Sequence, residues 1–287
     1  MSDAPLAPGL YLVATPIGNL EDITLRALRI LRSVDRIACE DTRQTQKLLN
    51  HFEIRTPTVS YHMHNEGPRA EELTAELKLG ARIAIVSDAG TPGIADPGGQ
   101  IAAAAIAAGI PVFPVPGANA ALSALIASGL PTERFTFHGF LPAKAGQRKT
   151  ALEELPRDGA THIFYEAPHR IVDTLAEVET VFGAAQPTVI ARELTKLHEE
   201  FLRGIVGELH TQLAARPSIR GEIVLLLVPQ PAEKSAALQK TIAAEVATLM
   251  QSEGLTEKDA LKRVARERGI GKSEAYRELQ REQNRLR

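Results

Sequence analysis

The feature that most constrains the fold is an alternation of apolar runs and amphipathic segments, with glycine, proline and polar residues after each apolar run. In the first half, strands are predicted at residues 9–14, 36–39, 58–61, 82–86 and 110–115. Helices are predicted between and after them, at residues 25–34, 44–52, 68–78, 100–108 and 120–128. Strands that alternate with helices form mostly parallel, doubly wound sheets. The sequence therefore predicts an α/β fold.

A second, smaller α/β domain with mixed strand directions is predicted after residues 129–132. Its strands are expected at residues 134–140, 161–165, 188–192, 201–203 and 221–228, the last of them central because it is long and apolar. Its helices are expected at 171–182 and 207–215, and residues 141–149 are expected to form a basic, flexible loop. The predicted domains are 1–118, 119–230 and, beyond a short linker, 235–287.

The third predicted domain is helical and resembles a helix-turn-helix unit, with helices at residues 236–252, 256–268 and 272–285. Thr256 and Asp259 have the spacing of a capping box. An apolar face is expected from Ala260, Leu261, Val264, Ala265, Ile270, Ala275, Tyr276 and Leu279. Basic residues outnumber acidic ones from Lys258 onward, which is typical either of a solvated face or of a nucleic-acid contact.

Composition narrows the function classes. The 287 residues carry a net charge of −2, so any contact with nucleic acid must come from local basic patches. The single cysteine, Cys39, excludes an internal disulfide and a cysteine-based zinc site. No apolar run is long enough to predict a membrane span, and residues 1–9 lack a signal-peptide pattern, so a cytoplasmic protein without membrane contact is expected.

The longest strand-to-helix turn, residues 87–99, has the composition of a ligand-binding segment. It contains four glycines, which allow close backbone approach, and two carboxylates, Asp88 and Asp96. Acids without lysine or arginine suit a ribose hydroxyl or a cationic ligand better than a polyphosphate. The chain also lacks a P-loop, and its first turn lacks the Gly-x-Gly-x-x-Gly dinucleotide fingerprint. A purely structural loop is the alternative interpretation.

Other polar segments also follow predicted strands. Residues 15–20 are either a binding turn or a tight connection, and residues 40–43 are either functional or a helix start whose acids complement the dipole. His62 and His64 lack a third His or Cys nearby, so no metal site is expected. Residues 165–170 concentrate polar side chains at a strand end. Such ends converge on one cleft in a doubly wound protein.

The chain resembles the tetrapyrrole methylase superfamily, whose members bind S-adenosylmethionine between two α/β domains. The motifs that carry the resemblance lie in order along the chain, at residues 15–24, 39–43, 60–66, 87–99, 116–120, 164–170, 191–196 and 221–224. Within the superfamily the chain is most similar to a branch that acts on ribosomal RNA. That branch implies 2′-O-methylation of a decoding-centre cytidine in 16S rRNA of the small subunit, by a cytoplasmic homodimer.

The resemblance also implies a cofactor site. By position, the pocket for S-adenosylmethionine would comprise Pro16, Asp88, Gly90, Thr91, Asn119, Ala120, Ala121, Tyr165, Ala191, Arg192 and Ile223. This cofactor carries a sulfonium cation, a ribose diol and no phosphate, which agrees with the acidic turn. Methyl transfer is an in-line displacement, so positioning would supply much of the rate acceleration.

A base is useful because a 2′-hydroxyl is a weak nucleophile at neutral pH. Glu40, Asp41, His62 and His64 are candidates, but Glu166 and His169 are favoured because they follow a second-domain strand expected to face the cofactor. Phosphate contacts are expected from Arg43, Arg170 and Arg192. Further RNA contacts are expected from Lys262, Arg266 and Lys272.

Two other functions remain open at this point. A small-molecule methylase acting on a tetrapyrrole carbon would need a roomy apolar cleft and would have no use for basic C-terminal helices. A non-catalytic RNA-binding assembly factor would keep the fold without the chemistry, which the intact turn at residues 87–99 disfavours.

Overall fold

The computed structural model of the chain describes residues 5–230, 242, 245–246, 249–250, 255–267, 271, 275–277 and 279. By its internal contacts the chain divides into two compact units, Met1–Gln230 and Pro231–Arg287. The first unit contains two five-stranded sheets. The boundaries predicted from the sequence, with the first unit divided near residue 118, stay predictions.

The first sheet is entirely parallel, with strand order β3-β2-β4-β1-β5. Its strands are β1 Gly9–Val13, β2 Arg36–Cys39, β3 Thr58–Ser60, β4 Arg82–Val86 and β5 Val112–Val115. The helices that alternate with them are α1 Leu25–Ser33, α2 Thr42–His51, α3 Glu66–Lys78 and α4 Gly99–Ala107. A short 3-10 helix, Leu20–Asp22, precedes α1.

Helices cover both faces of this sheet. Leu31 of α1 and Leu49 of α2 pack with Val13 on one face, while Leu73 of α3 and Ile101 of α4 pack on the other. All five strands end at the same edge because they are parallel, so the turns that follow them lie side by side. The predicted doubly wound arrangement is confirmed.

The second sheet has the order β6-β7-β10-β8-β9, in which β6 and β7 are parallel and the other pairs are antiparallel. Its strands are β6 Phe135–Phe140, β7 Thr161–Glu166, β8 Pro187–Arg192, β9 Glu200–Ile205 and β10 Ile223–Leu227. Its helices are α5 Ala120–Ser128, α6 Ala145–Glu153, α7 Ile171–Phe182 and α8 Val206–Ala214. The predictions of mixed directions and of a central last strand are confirmed.

The core of the second sheet has two sides. Leu152 of α6, Leu175 of α7 and Leu209 of α8 pack on one face. Leu125 of α5 packs on the other face, in a cluster that includes Ile17 from the turn after β1. Helix α5 therefore follows a strand of the first sheet in sequence but packs on the second sheet.

The expectation of a flexible loop at residues 141–149 is wrong. Residues from Ala145 onward form α6, and Arg148 is buried with its guanidinium 2.7 Å and 2.9 Å from the two carboxylate oxygens of Glu177 on α7. A basic composition suggested exposure, but a carboxylate 29 residues away holds this arginine inside.

In the second unit, helix α9 runs from Glu257 to Glu267. Half of the predicted capping box is present: the backbone N–H of Asp259 donates to Thr256 Oγ1, while the Asp259 carboxylate accepts from the Thr256 hydroxyl. Five residues of the predicted apolar face are buried: Ala260, Val264, Ala265, Ala275 and Leu279. They form one cluster with Ile242 and Val246, which the prediction did not include. Tyr276 is instead exposed. Ile270 and most of the helix predicted at 272–285 lie outside the described residues.

Candidate functional site

The turn after β4 is attached to the turn after β1. Thr15 and Gly90 exchange two backbone hydrogen bonds, with N···O distances of 2.8 Å and 3.0 Å. Gly90 has φ +87°, and a Cβ there would lie 3.3 Å from Ile17 Cγ2. Glycine at position 90 therefore lets the two turns approach each other closely. The two hydrogen bonds to Thr15 fix the first part of the turn at residues 87–99.

The far end of the same turn is held by a buried carboxylate. Glu66 Oε1 accepts hydrogen bonds from the Tyr61 hydroxyl and from the backbone N–H of Gly98. Between the two attachments Ala95 has φ +61°, a left-handed conformation that a non-glycine residue rarely adopts. Such strain persists only where the surroundings impose it, and it is frequent at binding sites.

Two neighbouring strand ends complete this surface. Asp88 Oδ1 accepts a 3.0 Å hydrogen bond from the backbone N–H of Asp41, the N-cap residue of α2. The Thr91 hydroxyl donates to the backbone carbonyl of Ala118 and accepts from the Asn119 amide. The turns after β2, β4 and β5 are thus connected through side chains of residues 87–99.

A cavity of about 470 Å³ lies between this surface and the second sheet. Its residues from the first sheet's turns and from α5 are Ile17, Glu40, Asp88, Ala89, Gly90, Thr91, Ile94, Ala95, Asp96 and Ala120. Its residues from the second sheet and the following segments are Phe140, Tyr165, Glu166, Ala167, Pro168, Leu194, Glu222, Ile223 and Val224. Tyr165 and Val224 are cross-strand neighbours, so β7 and β10 place them side by side.

The charge of this lining is of one sign. Glu40, Asp88, Asp96 and Glu222 contribute carboxylates, as does Glu166, which is paired with Arg170, whereas the lining, all of it within described residues 5–230, includes no lysine, arginine or histidine. Carboxylates near one another in a cleft attract cations and repel phosphates. The cavity therefore suits a cationic or neutral ligand.

Two of these carboxylic acids have perturbed pKa values. Burial, with the nearby charges of Glu40 and Asp88, raises the pKa of Asp96 to about 6. Burial, and then the charge of Asp88, also raises the pKa of Glu40. Groups with raised pKa values in a cleft are candidates for proton transfer near neutral pH.

The predicted cofactor residues divide into two sets. Those that line the cavity are Asp88, Gly90, Thr91, Ala120, Tyr165 and Ile223. Those outside its lining are Pro16, Asn119, Ala121, Ala191 and Arg192. Two of the second set have a structural role: Asn119 caps α5, and Arg192 donates to Glu200 and to the carbonyl of Arg220.

Glu166, predicted as a catalytic base, has its carboxylate engaged inside the protein. The side chain is fully buried, and its oxygens accept hydrogen bonds from the Arg170 guanidinium, the Thr174 hydroxyl and the backbone N–H of Ala167. Arg170, predicted to contact RNA, also donates to the carbonyl of Leu141. This geometry gives the pair a structural role and does not support Glu166 as the base or Arg170 as a free phosphate ligand.

The other predicted residues lie at the surface. His169 is exposed and is not part of the cavity lining. Arg43 is 87% exposed and pairs with Asp41, whose pKa it holds at about 2. Lys262 and Arg266 are exposed on α9, while Lys272 lies outside the described residues.

Sequence reasoning missed part of the lining. Phe140, Leu194 and Glu222 come from the second half of the chain; Leu194 and Glu222 lie in the motifs at 191–196 and 221–224, but nothing in the local sequence indicates that Phe140 shares a cavity with residues 87–99. The sequence did point to Asp96, because it lies in the same acidic turn as Asp88.

Among the described residues, no helix has both the length and the apolarity that crossing a bilayer requires.

Comparison with known proteins agrees with this architecture. The family model of tetrapyrrole (corrin/porphyrin) methylases matches residues 9–210. A protein of Halalkalibacterium halodurans named ribosomal RNA small subunit methyltransferase I is 49% identical over 275 residues, covering 93% of each chain. A Synechocystis protein of the same name is 46% identical over 93% of this chain and 95% of its own.

Among solved structures, the chain is similar to the uroporphyrin-III C-methyl transferase of Thermus thermophilus complexed with S-adenyl homocysteine. The TM-score is 0.51 at 20% identity, over 77% of this chain and 97% of that one. This likeness concerns the fold. The residues that the family model matches include the whole first sheet, strands β6 to β9 of the second sheet and the turn at residues 87–99, and they include every residue that lines the cavity except Glu222, Ile223 and Val224. The chain belongs to the tetrapyrrole methylase family and is related within it to the small-subunit ribosomal RNA methyltransferases I.

Proposed function

We propose that this chain is an S-adenosylmethionine-dependent methyltransferase of small-subunit ribosomal RNA, and that it methylates the ribose 2′-hydroxyl of a cytidine in the decoding centre of 16S rRNA. The single observation that carries the proposal is the carboxylate-lined cavity at the strand ends of a tetrapyrrole methylase fold. The RNA substrate is supported by relatives of 46% and 49% identity. Because the proposed substrate is ribosomal, we propose that the protein acts in the cytoplasm. We also propose that it forms a homodimer.

The lining fits this cofactor. When bound, S-adenosylmethionine supplies a methyl group on a positively charged sulfur that an oxygen nucleophile can attack. Asp88 carries the charge that favours a sulfonium, and the Thr91 hydroxyl, which donates to Ala118 and accepts from Asn119, has a further lone pair for a ribose hydroxyl. Ile17, Tyr165 and Ile223 form apolar walls. Because burial raises the pKa of Tyr165, its phenol stays protonated and neutral at pH 7.

Proton transfer is best assigned to the acids that face the cavity. Asp96, with a pKa of about 6, is largely deprotonated at neutral pH and can accept a proton from a ribose hydroxyl. Glu40 lies in the same lining, and burial, with the charge of Asp88, raises its pKa as well. His169 remains a prediction for this role, whereas Glu166 holds Arg170 and Thr174 in place.

Label transfer tests the proposal. The protein is incubated with methyl-labelled S-adenosylmethionine and 30S subunits from a strain that lacks the modification, and the labelled nucleoside is identified after digestion. We expect one label per subunit, on the 2′-oxygen of a cytidine. Label on a base, or on a tetrapyrrole but not on RNA, would contradict the proposal. Binding to subunits without any transfer would favour the assembly-factor alternative.

A further inference from the structure

Phe140 is the aromatic side chain in the cavity lining that is most open to solvent. It is 60% exposed, although phenylalanine normally avoids water. Its ring lies edge-on to that of Tyr165, with centroids 5.6 Å apart and an interplanar angle of 67°. Phe137 contacts Tyr165 in a similar way, at 4.9 Å. The exposed ring is therefore held by an aromatic cluster at the cavity mouth.

The position of Phe140 is fixed by the fold. It is the last residue of β6 and pairs with Tyr165 on β7, beyond a shift of the strand register between Phe137 and Phe140. A side chain on a strand is positioned more accurately than one on a loop. The exposed ring is thus a flat surface, positioned by strand pairing, in the same cavity lining as the acids that we assign to proton transfer.

The charges of the cavity determine which part of an RNA can enter it. Glu40, Asp88 and Asp96 repel phosphates, whereas Glu222 is paired with Lys196 at 3.1 Å, and the lining, all of it within described residues 5–230, includes no lysine, arginine or histidine. A target nucleotide must therefore present its base and ribose to the cavity and leave its phosphates outside. Enzymes that act on one nucleotide commonly take its base out of the stack, and aromatic side chains then replace the lost stacking.

We propose that Phe140 stacks on the base of the target nucleotide and so positions its ribose at the cavity. This inference rests on the proposed function. Base stacking on an aromatic side chain requires no ionic contact, so it remains available at a mouth where phosphate contacts are disfavoured. The cofactor's adenine is the competing occupant, and affinity measurements distinguish the two.

The test compares F140A and F140L with F140Y and F140W. For each variant, the cofactor Kd is measured by calorimetry and kcat/KM is measured with 30S subunits that lack the modification. We expect F140A and F140L to lower kcat/KM by roughly 5- to 100-fold, the range expected for one lost base stack. F140Y and F140W should restore it to within about threefold of the original, and cofactor Kd should stay within about twofold in all four.

Phe135 supplies the matched control. It lies at the other end of β6, is 44% exposed and is not part of the cavity lining, so F135A and F135L should change neither quantity. The inference is overturned if F140L matches the original protein, if cofactor affinity falls in parallel with kcat/KM, or if F135A is as damaging as F140A. An unsubstituted chain that binds cofactor but labels no RNA contradicts the proposed function and the inference together. If the RNA is labelled normally whether or not residue 140 is aromatic, the inference is contradicted but the proposed function is not.

Discussion

Asp88 Oδ1 accepts a 3.0 Å hydrogen bond from the backbone N–H of Asp41, so one carboxylate both joins two strand ends and faces the cavity. The two roles are separable. An asparagine side chain also has an oxygen that can accept from the Asp41 N–H, but it has no charge.

We therefore expect D88N to fold normally and to bind S-adenosylmethionine roughly tenfold more weakly, because the cavity loses one of its negative charges. Calorimetry measures the Kd, and circular dichroism checks the fold. D22N, which removes an exposed acid outside the cavity lining, serves as the control. Unchanged affinity in D88N would exclude Asp88 from the cofactor site.

The buried pair Glu166–Arg170 should matter for stability more than for chemistry. E166Q leaves the Arg170 guanidinium without its charged partner, and we expect it to lower the free energy of unfolding by about 2–4 kcal/mol. Urea unfolding measures this change. E153Q breaks an exposed pair with the same i,i+4 spacing, Lys149–Glu153, and should cost less than about 0.5 kcal/mol. If E166Q folds with unchanged stability and loses turnover more than about a hundredfold, Glu166 is the base after all.

Asp96 should make stability depend on pH. Its pKa is raised from 3.8 to about 6, so between these values the folded protein binds more protons than the unfolded chain. Stability contributed by this group is therefore lost as pH rises from about 4 to about 6. We expect D96N to be more stable than the original protein at pH 7.5, by roughly 1 kcal/mol, and the difference to shrink toward pH 4.5. Urea unfolding at both values checks it, and a difference independent of pH would contradict the assignment.

Lys262 and Arg266 on α9 should contribute to RNA affinity through charge. We expect the double reversal K262E/R266E to weaken binding to 30S subunits and to lower the slope of log Kd against log salt by about 1 to 2. Cofactor Kd should not change. K78E, on an exposed position of α3, is the control for a simple change in net charge. Equal affinity of the double variant and the original at 50 mM salt would make α9 a solvated helix with no role in binding.

The sheets were predictable because buried strands leave a strong local pattern. Strands β2 and β4 and helices α5 and α7 have the bounds that the apolar runs predict, and the capping residues Thr256 and Asp259 mark the start of α9. These features depend on residues within one or two turns of each other, so the local sequence carries them.

The cavity was predictable only in part because its two walls are distant in sequence. The acidic turn at residues 87–99 identified one wall, but Phe140 and Glu222 reach the cavity through the topology of the second sheet. Burial also reversed two interpretations. Arg148 pairs with Glu177, 29 residues away, which only the tertiary structure brings near, whereas Glu166 pairs with Arg170 only four residues on, and it is the burial of that pair that the local sequence does not show.

The two attachments of the turn, Thr15 to Gly90 and Gly98 to Glu66, have a consequence for binding energetics. A segment held at both ends loses little conformational freedom when a ligand arrives, so most of the contact energy is retained as affinity. Loosening either attachment, for example by E66Q at Gly98, should therefore weaken ligand binding through entropy even though Glu66 itself does not line the cavity. Thr15 and Glu66, which lie outside the lining, thus preorganise the segment that binds the ligand.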